Sequence, residues 1–296
     1  MTNDPQINRP YGAHLHMARW RSALLVVSIL ILFFALQFAF YAASSLIDGR
    51  EDTFTPAMTP TTQLANNLSV AATALIALLL TARTARVPWR SLLTHPRRID
   101  LRRLGRYGVL SLALVAAGAG VTALLAPEAT GWVGFGITGT TVALLAVSVL
   151  TAPLQSAGEE LIFRGSVMPA IASWVRPARP ALIAGIAGST ILFALVHVSL
   201  DPWLFAYFLV VGLGTAVMAV VSRGLEASIA FHVANNLVTS TLNTVLADGE
   251  TPAFERDVGA GGPSYLILMA VNVAVVAVVW WRERAPRTRR RALMST

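Results

Sequence analysis

The chain has 296 residues, of which 55% are hydrophobic and only 13% charged, and its mean hydropathy is +0.63. A soluble domain carries about a quarter charged residues, so these values exclude an ordinary soluble protein and indicate a membrane protein. The net charge of +8 comes from arginine without any lysine, but there is no soluble basic domain that could bind nucleic acid. The absence of cysteine excludes disulfides and thiolate metal sites.

Eight apolar segments are long enough, or nearly so, to cross a hydrocarbon core of about 30 Å at about 1.5 Å per residue. They fall at residues 22–46, 63–82, 107–126, 138–160, 180–200, 203–222, 225–246 and 264–281. The predicted fold is therefore all-α, a polytopic membrane bundle of about eight transmembrane helices. It forms one domain over residues 22–281, between an N-terminal arm at 1–21 and a basic tail at 282–296. Both ends are expected to be flexible, with the tail lying against anionic lipid.

The arginines indicate which loops face the cytoplasm. All but Arg50 and Arg256 lie in the N-terminal arm, in the connections 83–106 and 164–179, at position 223 or in the tail, and the remaining loops are acidic. All seven tryptophans fall at or just outside the predicted ends, where indole prefers the headgroup region. Positive charge stays in the cytoplasm, so both termini are predicted to be cytoplasmic. The exclusive use of arginine favours a bacterial source, and thus the bacterial plasma membrane.

The fourth span contains two adjacent glutamates and then an arginine, in the stretch LQSAGEELIFRG at 154–165. Glu160 and Arg164 are four residues apart, which is a good geometry for an ion pair, whereas Glu159 shares another helix face with Gln155. Two carboxylates this close in a low dielectric resist being ionised together. This favours one carboxylate paired with arginine and one free to titrate. The alternative is that both are helix-end charges at the lipid headgroups.

The fifth and seventh spans carry histidines within polar faces. Ser189, Phe193 and His197 recur every four residues in the fifth span. In the seventh, His232 and Asn236 belong to a stripe that also contains Ser228, Asn235, Thr239, Ser240 and Asn243. Polar residues in a membrane span face the bundle interior or a water-filled cavity and often mark function. Glutamate, histidine and asparagine are residue types that activate water and stabilise developing negative charge.

His197 does not lie at the depth expected for such a site. Glu159 and His232 are both predicted near the cytoplasmic side, whereas His197 comes at the far end of its span. Non-helical backbone inside a membrane is tolerated only where protein or water covers it. We therefore expect the fifth helix to end inside the membrane at His197, beside a water-filled cavity, with residues 199–202 as the break.

Three motifs occur in order on successive hydrophobic helices. They are E-E-x-x-x-R (Glu159, Glu160, Arg164), F-x-x-x-H (Phe193, His197) and H-x-x-x-N (His232, Asn236). Together they resemble the CPBP family of CAAX proteases and bacteriocin-processing proteins, also called Abi, which includes the type II CAAX prenyl endopeptidases. The resemblance covers about residues 140–245 and does not extend to the first spans.

The resemblance implies an intramembrane endopeptidase that hydrolyses a membrane-associated peptide or protein. By this analogy Glu159 is the base that activates the hydrolytic water, held together with His197. His232 and Asn236 would steady the water or the tetrahedral oxyanion. The other two motif residues would shape the site, namely Glu160 and Arg164.

These motifs do not decide whether a metal ion takes part in the reaction. Zinc could be held by His197, His232 and a glutamate such as Glu159, leaving one position for water. The same residues suit a metal-free mechanism in which a glutamate acts alone. No HExxH sequence is present, so the site would not be that of a zincin.

Two other functions stay open. A non-enzymatic bacteriocin-immunity factor or scaffold could use the same fold, but it would not need the complete set of motif residues. A proton- or ion-coupled transporter would be expected to show repeated halves or paired broken helices, and no such repeat is visible in the sequence. The identity of the substrate and the oligomeric state are not encoded in any recognisable motif.

Overall fold

The computed structural model describes residues 9–51, 58–251 and 256–294, and these residues are helical without any β-strand. The helices are α1 Arg19–Asp48, α2 Pro60–Ala85, α3 Leu101–Leu125, α4 Gly139–Glu160, α5 Met168–Ala172, α6 Ala178–Val196, α7 Pro202–Ser222, α8 Glu226–Val245 and α9 Tyr265–Met294. A π-helical segment, Leu161–Val167, joins α4 and α5. The predicted all-α membrane bundle is confirmed.

Seven of the described helical elements are long and apolar enough to cross a membrane, with α4, the π segment and α5 counting as one element of 34 residues. The predicted span that is missing from these seven is the seventh, at 225–246, which corresponds to α8 and has 20 residues. Its polar stripe lowers its hydropathy. It packs against α3, α4 and α7, so it is an inner helix of the bundle.

The predicted break between the fifth and sixth spans is present, while the depth of His197 in the membrane stays a prediction. Helix α6 ends at Val196, and α7 begins at Pro202 with Asp201 as its N-cap. The Asp201 carboxylate accepts from the N–H groups of the first turn of α7, which have no partner within the helix. Proline at the first helical position suits this start because its missing N–H is not needed there.

The predicted end of the fourth span is wrong. The helix does not stop at residue 160 but continues through the π segment to Ala172. Arg164, expected in a cytoplasmic connection, is therefore inside the bundle and fully buried. The sequence suggested a boundary because a charge follows the apolar run, but here the charge is neutralised within the protein.

The expectation of a flexible N-terminal arm is also wrong for its described residues. Tyr11 and Leu15 are fully buried, and the Tyr11 hydroxyl donates to the Leu92 carbonyl at 2.5 Å. The His14 ring stacks between Tyr11 and His95, with centroid distances of 5.1 and 4.7 Å. Burial lowers the pKa of His14 to about 3, so this ring is neutral at pH 7. The arm closes the arginine-rich end of the bundle.

Close helix contacts hold the elements around the π segment together. In lipid, helices associate through packing rather than through the hydrophobic effect, and small residues let backbones approach. A Cβ atom at Gly185 would lie 2.6 Å from the Met168 carbonyl oxygen, and one at Gly212 would lie 3.2 Å from the Phe193 ring. Glycine at these positions therefore permits close contact between the helices.

The arginine pattern gives a direct test of orientation. The chain has no cysteine, so a single cysteine can be introduced without background. We expect Arg98→Cys to react with a membrane-impermeant maleimide only from the cytoplasmic side, and Asp257→Cys only from the outside, because both positions are exposed at opposite ends of the bundle. Reaction of the Arg98→Cys protein from outside would overturn the assignment of both termini to the cytoplasm.

Candidate functional site

The two adjacent glutamates lie where α4 changes into the π segment. Glu159 is 6% exposed and Glu160 is fully buried. The π segment ends two residues before Pro169, which has no N–H to donate and so removes one helical hydrogen bond. Single π turns are rare and occur frequently at functional sites. The wider turn directly follows both carboxylates.

Glu160 belongs to a buried ion pair. Arg164 Nη1 lies 3.2 Å from Glu160 Oε1, as predicted from their spacing. The guanidinium also donates from Nη2 to the Gly212 carbonyl at 2.9 Å and lies 4.4 Å from the centre of the Phe193 ring. Breaking such a buried pair leaves an uncompensated charge, so these contacts hold Glu160 as a fixed, neutralised carboxylate.

Glu159 has a different environment. Its Oε1 accepts a hydrogen bond from Gln155 Nε2 at 2.6 Å, on the helix face that the sequence predicted. Its Oε2 lies 3.3 Å from His232 Nε2 and accepts no hydrogen bond from any described residue. One oxygen is therefore held by an amide, and the other keeps lone pairs that can accept a proton.

His232 connects the two carboxylates. Its Nδ1 lies 2.9 Å from Glu160 Oε1. An ionised carboxylate only accepts hydrogen bonds, so Nδ1 carries the proton in this contact. The other nitrogen, Nε2, then faces Glu159. A single proton shared by these two groups lies either on Glu159, which leaves both groups neutral, or on His232, which makes an ion pair. The Glu160–Arg164 pair thus determines which tautomer of His232 faces Glu159.

Asn236 reaches the site through Gln155. Its Nδ2 donates to Gln155 Oε1 at 3.1 Å and to Ser156 Oγ at 3.0 Å. Gln155 in turn donates to Glu159, so the asparagine sets the orientation of the amide that holds the glutamate. Both hydrogens of the Asn236 amide are used in these contacts, and neither is free for an oxyanion in this conformation.

His197 borders the site but is not joined to Glu159. Its Nδ1 lies 2.7 Å from the Phe193 carbonyl oxygen, which fixes the proton on Nδ1. Its ring stacks on Phe208 at 3.9 Å and lies 4.7 Å from the Phe193 ring, which in turn lies 5.9 Å from the His232 ring. Among the described residues, the His197 ring therefore contacts Phe193 and Phe208 and makes no hydrogen bond to Glu159 or His232.

The residues proposed for zinc do not form a ligand set. Among described residues, no group of three or more histidine and carboxylate side chains is arranged to hold a metal ion. Both nitrogens of His232 face carboxylate oxygens. As they are arranged here, Glu159, His197 and His232 are not grouped as a three-ligand site.

Two nearby residues were not selected from the sequence. Arg256, at the end opposite to the arginine clusters, donates from Nη1 to the His197 carbonyl, and its charge acts on Glu159. Phe208 of α7 supports the His197 ring. The only signal for Arg256 was that it is one of two arginines that depart from the charge pattern. A lone phenylalanine in an apolar helix carries no signal at all.

The comparisons with known proteins agree with this geometry. A family model described as type II CAAX prenyl endopeptidase Rce1-like matches residues 138–238. The match includes α4, the π segment, α5, α6, α7 and the part of α8 that carries His232 and Asn236. No curated protein and no solved structure matches this chain significantly.

Proposed function

Since the chain belongs to the CAAX protease family through residues 138–238, we propose that it is an intramembrane endopeptidase whose hydrolytic water is activated by Glu159. The family is one of peptide hydrolases, and the chain is a multi-pass membrane protein. Its substrate is a membrane-associated peptide or protein, its membrane is the bacterial plasma membrane, and anionic lipids contact its basic tail.

The observation that carries this proposal is the asymmetry between the two glutamates. One oxygen of each carboxylate accepts no hydrogen bond from a described residue, but Glu160 is neutralised by Arg164 at 3.2 Å, whereas the ion-pair partner of Glu159 among the described residues is His232, at 3.3 Å. A general base must be positioned, accessible to the proton that it removes and not already neutralised by a fixed cation. Of the two carboxylates, Glu160 is paired with a fixed guanidinium and Glu159 is not, so Glu159 is the better candidate for the base.

The proposed reaction uses Glu159 as base and then as acid. Water bound at Oε2 attacks the peptide carbonyl carbon while one of its protons passes to Glu159. The carbonyl oxygen becomes an oxyanion, and His232 Nε2, which lies 3.3 Å from Glu159 Oε2, donates to it when protonated. The C–N bond then breaks as Glu159 gives the proton to the leaving nitrogen, which produces an amine and a carboxylic acid.

Arg164 and Glu160 act on this reaction through His232. The Glu160 carboxylate accepts from His232 Nδ1 at 2.9 Å, which keeps Nε2 directed at Glu159. A residue that fixes the tautomer of a catalytic histidine does not touch the substrate itself. In this proposal both residues of the ion pair are positioning residues.

Asn236 is proposed to act through Gln155, and a double-mutant cycle tests this. We expect Asn236→Ala and Gln155→Ala each to slow turnover, and the double variant to be no slower than the worse single variant, because both remove the same hydrogen bond to Glu159. Additive losses would instead indicate that Asn236 donates to the oxyanion by itself, an interaction worth about 3 kcal/mol in activation energy. Turnover of the four proteins at saturating substrate is the measurement, and Asn243→Ala, further along the same helix, is the control.

The proposed mechanism uses no metal, and chelation tests it. We expect activity to stay within about twofold of its starting value after treatment with a zinc chelator, because the described residues offer no three-ligand site. Metal content is measured on the same samples by mass spectrometry. Loss of about one equivalent of zinc together with loss of activity would contradict this and would make His197, His232 and Glu159 the first ligands to examine.

A further inference from the structure

The bundle is packed unequally along its length. In α8 the residues around His232 are buried, but every residue from 235 to 243 is partly accessible. Nine successive helical residues point in all directions, so no neighbour fully encloses this half of α8. On one side a mainly apolar cavity of about 500 Å³ lies between part of this half and α3. The open half lies at the end opposite to the arginine clusters.

The arginine-rich end is closed by contrast. The N-terminal arm inserts Tyr11, which is fully buried against Leu92. Beside it, Arg97 pairs with the buried Glu226 through two contacts of 2.5 Å at the start of α8. These buried contacts lie at the arginine-rich end of the bundle, whereas the partly accessible half of α8 lies at the opposite end.

Polar side chains lead from the open end to Glu159. On α4 they recur at Ser148, Thr151 and Gln155, with spacings of three and four residues that keep them on the face of Glu159. Gln63 and Asn67 of α2 donate to Ser148 and Thr151 at 2.5 and 2.8 Å.

A second polar stripe runs along α8. Asn235, Asn236 and Thr239 are partly accessible there. Polar residues in a membrane span face protein partners or water, and the two stripes meet where Asn236 donates to Gln155 at 3.1 Å. We call the region lined by the outer halves of these two stripes, and by the α2 residues bonded to them, the outer vestibule.

The connection after α8 provides a polar rim for this opening. The Leu200 N–H donates to the Arg256 carbonyl at 2.9 Å, and Gly259 N donates to the Asp201 carboxylate at 3.0 Å. The Arg256 side chain donates to the carbonyl of His197, at the break between α6 and α7. An exposed cation and backbone polar groups thus lie where a polypeptide would enter.

We propose that water and substrate reach Glu159 through the outer vestibule, from the extracytoplasmic side, and that the substrate is an exported polypeptide segment at the outer face of the membrane. The proposal rests on the peptidase function and on the predicted orientation, in which the arginine-rich end is cytoplasmic. The extended polar walls suit a peptide backbone, which needs hydrogen-bond partners inside a membrane.

Single cysteines in the vestibule test the route without requiring activity. We expect Thr239→Cys to react with a membrane-impermeant methanethiosulfonate reagent about tenfold faster from the outside of sealed vesicles than from the inside, because a hydrated cavity opens outward. Ser240→Cys is a second position in case the first variant does not fold. Ser91→Cys, at the closed end, is the control and should react only from the inside.

Each outcome decides the proposal. Faster labelling of Thr239→Cys from outside, with block of cleavage by the attached group, supports it. Labelling only from inside, labelling from neither side, or reaction of Ser91→Cys from outside would overturn it. Outside labelling with unimpaired cleavage would also overturn it, since the substrate would then take another path. The proposed peptidase mechanism is tested separately. It would be contradicted if the Glu159→Gln protein kept full activity.

Discussion

Replacing Glu159 with glutamine is expected to lower the rate of peptide cleavage by about 10²–10⁴-fold, because it removes the general base with almost no change in volume. Gln155 can still contact the new side chain, and the Glu160–Arg164 pair is untouched, so folding and membrane insertion should be unchanged. The natural substrate is first identified by comparing membrane proteins from cells that produce the wild-type and the Glu159→Gln protein. Cleavage rates are then measured with purified proteins.

The matched control is Glu250→Gln, the same substitution at an exposed position outside the site. It should cleave at the wild-type rate. His232→Ala should be nearly as severe as Glu159→Gln, since His232 contacts both carboxylates. His197→Ala is also expected to be severe by analogy with the family, although its contacts here run through Phe193. Activity of the Glu159→Gln protein within a few-fold of wild type would show that Glu159 is not the base.

Replacing Arg164 with methionine is expected to destabilise the protein by about 3–5 kcal/mol, because it leaves the Glu160 carboxylate buried without its cation. Both side chains are fully buried, so water cannot take over the lost interaction. Unfolding is followed by circular dichroism in detergent micelles. Arg179→Met, at an exposed position on α6, is the matched control and should change stability by less than about 0.5 kcal/mol.

A second substitution separates the ion pair from simple loss of packing. In the double variant Arg164→Met with Glu160→Gln, the buried charge is gone, and a large part of the lost stability should return. The double variant should remain a poor enzyme, since glutamine at position 160 no longer fixes the tautomer of His232 in the same way. Equal stability of the Arg164→Met protein and the wild type would contradict the assigned role of the pair.

The helical bundle and the chemical character of the site follow from the sequence alone. Long apolar segments have few stable arrangements in lipid because every backbone polar group must be satisfied within the protein. Polar side chains in such segments are few and costly, so Glu159, His232 and Asn236 stood out without any structure. The ion pair between Glu160 and Arg164 was likewise predicted correctly, because helix spacing determines which side chains can meet.

The extent of the fourth helix was decided only by tertiary structure. A charged residue after an apolar run indicates the end of a span. Arg164 nevertheless lies inside the bundle, because its guanidinium contacts partners from other parts of the chain. Its contacts with the Gly212 carbonyl and the Phe193 ring cannot be inferred from local composition. The prediction of a flexible N-terminal arm was wrong for the same reason, since Tyr11 is buried against a segment about eighty residues away in sequence.

The division of roles within the site also required the folded chain. The sequence shows two adjacent glutamates and two histidines, but not which glutamate is neutralised by which partner or whether the histidines meet. Contacts between α4 and α8 bring His232 to both carboxylates, whereas His197, at the end of α6, contacts Phe193 and Phe208 instead. Sequence spacing determines neighbours within one helix. Contacts between helices depend on how whole helices pack, and that packing decided which oxygen of Glu159 accepts no hydrogen bond from the described residues.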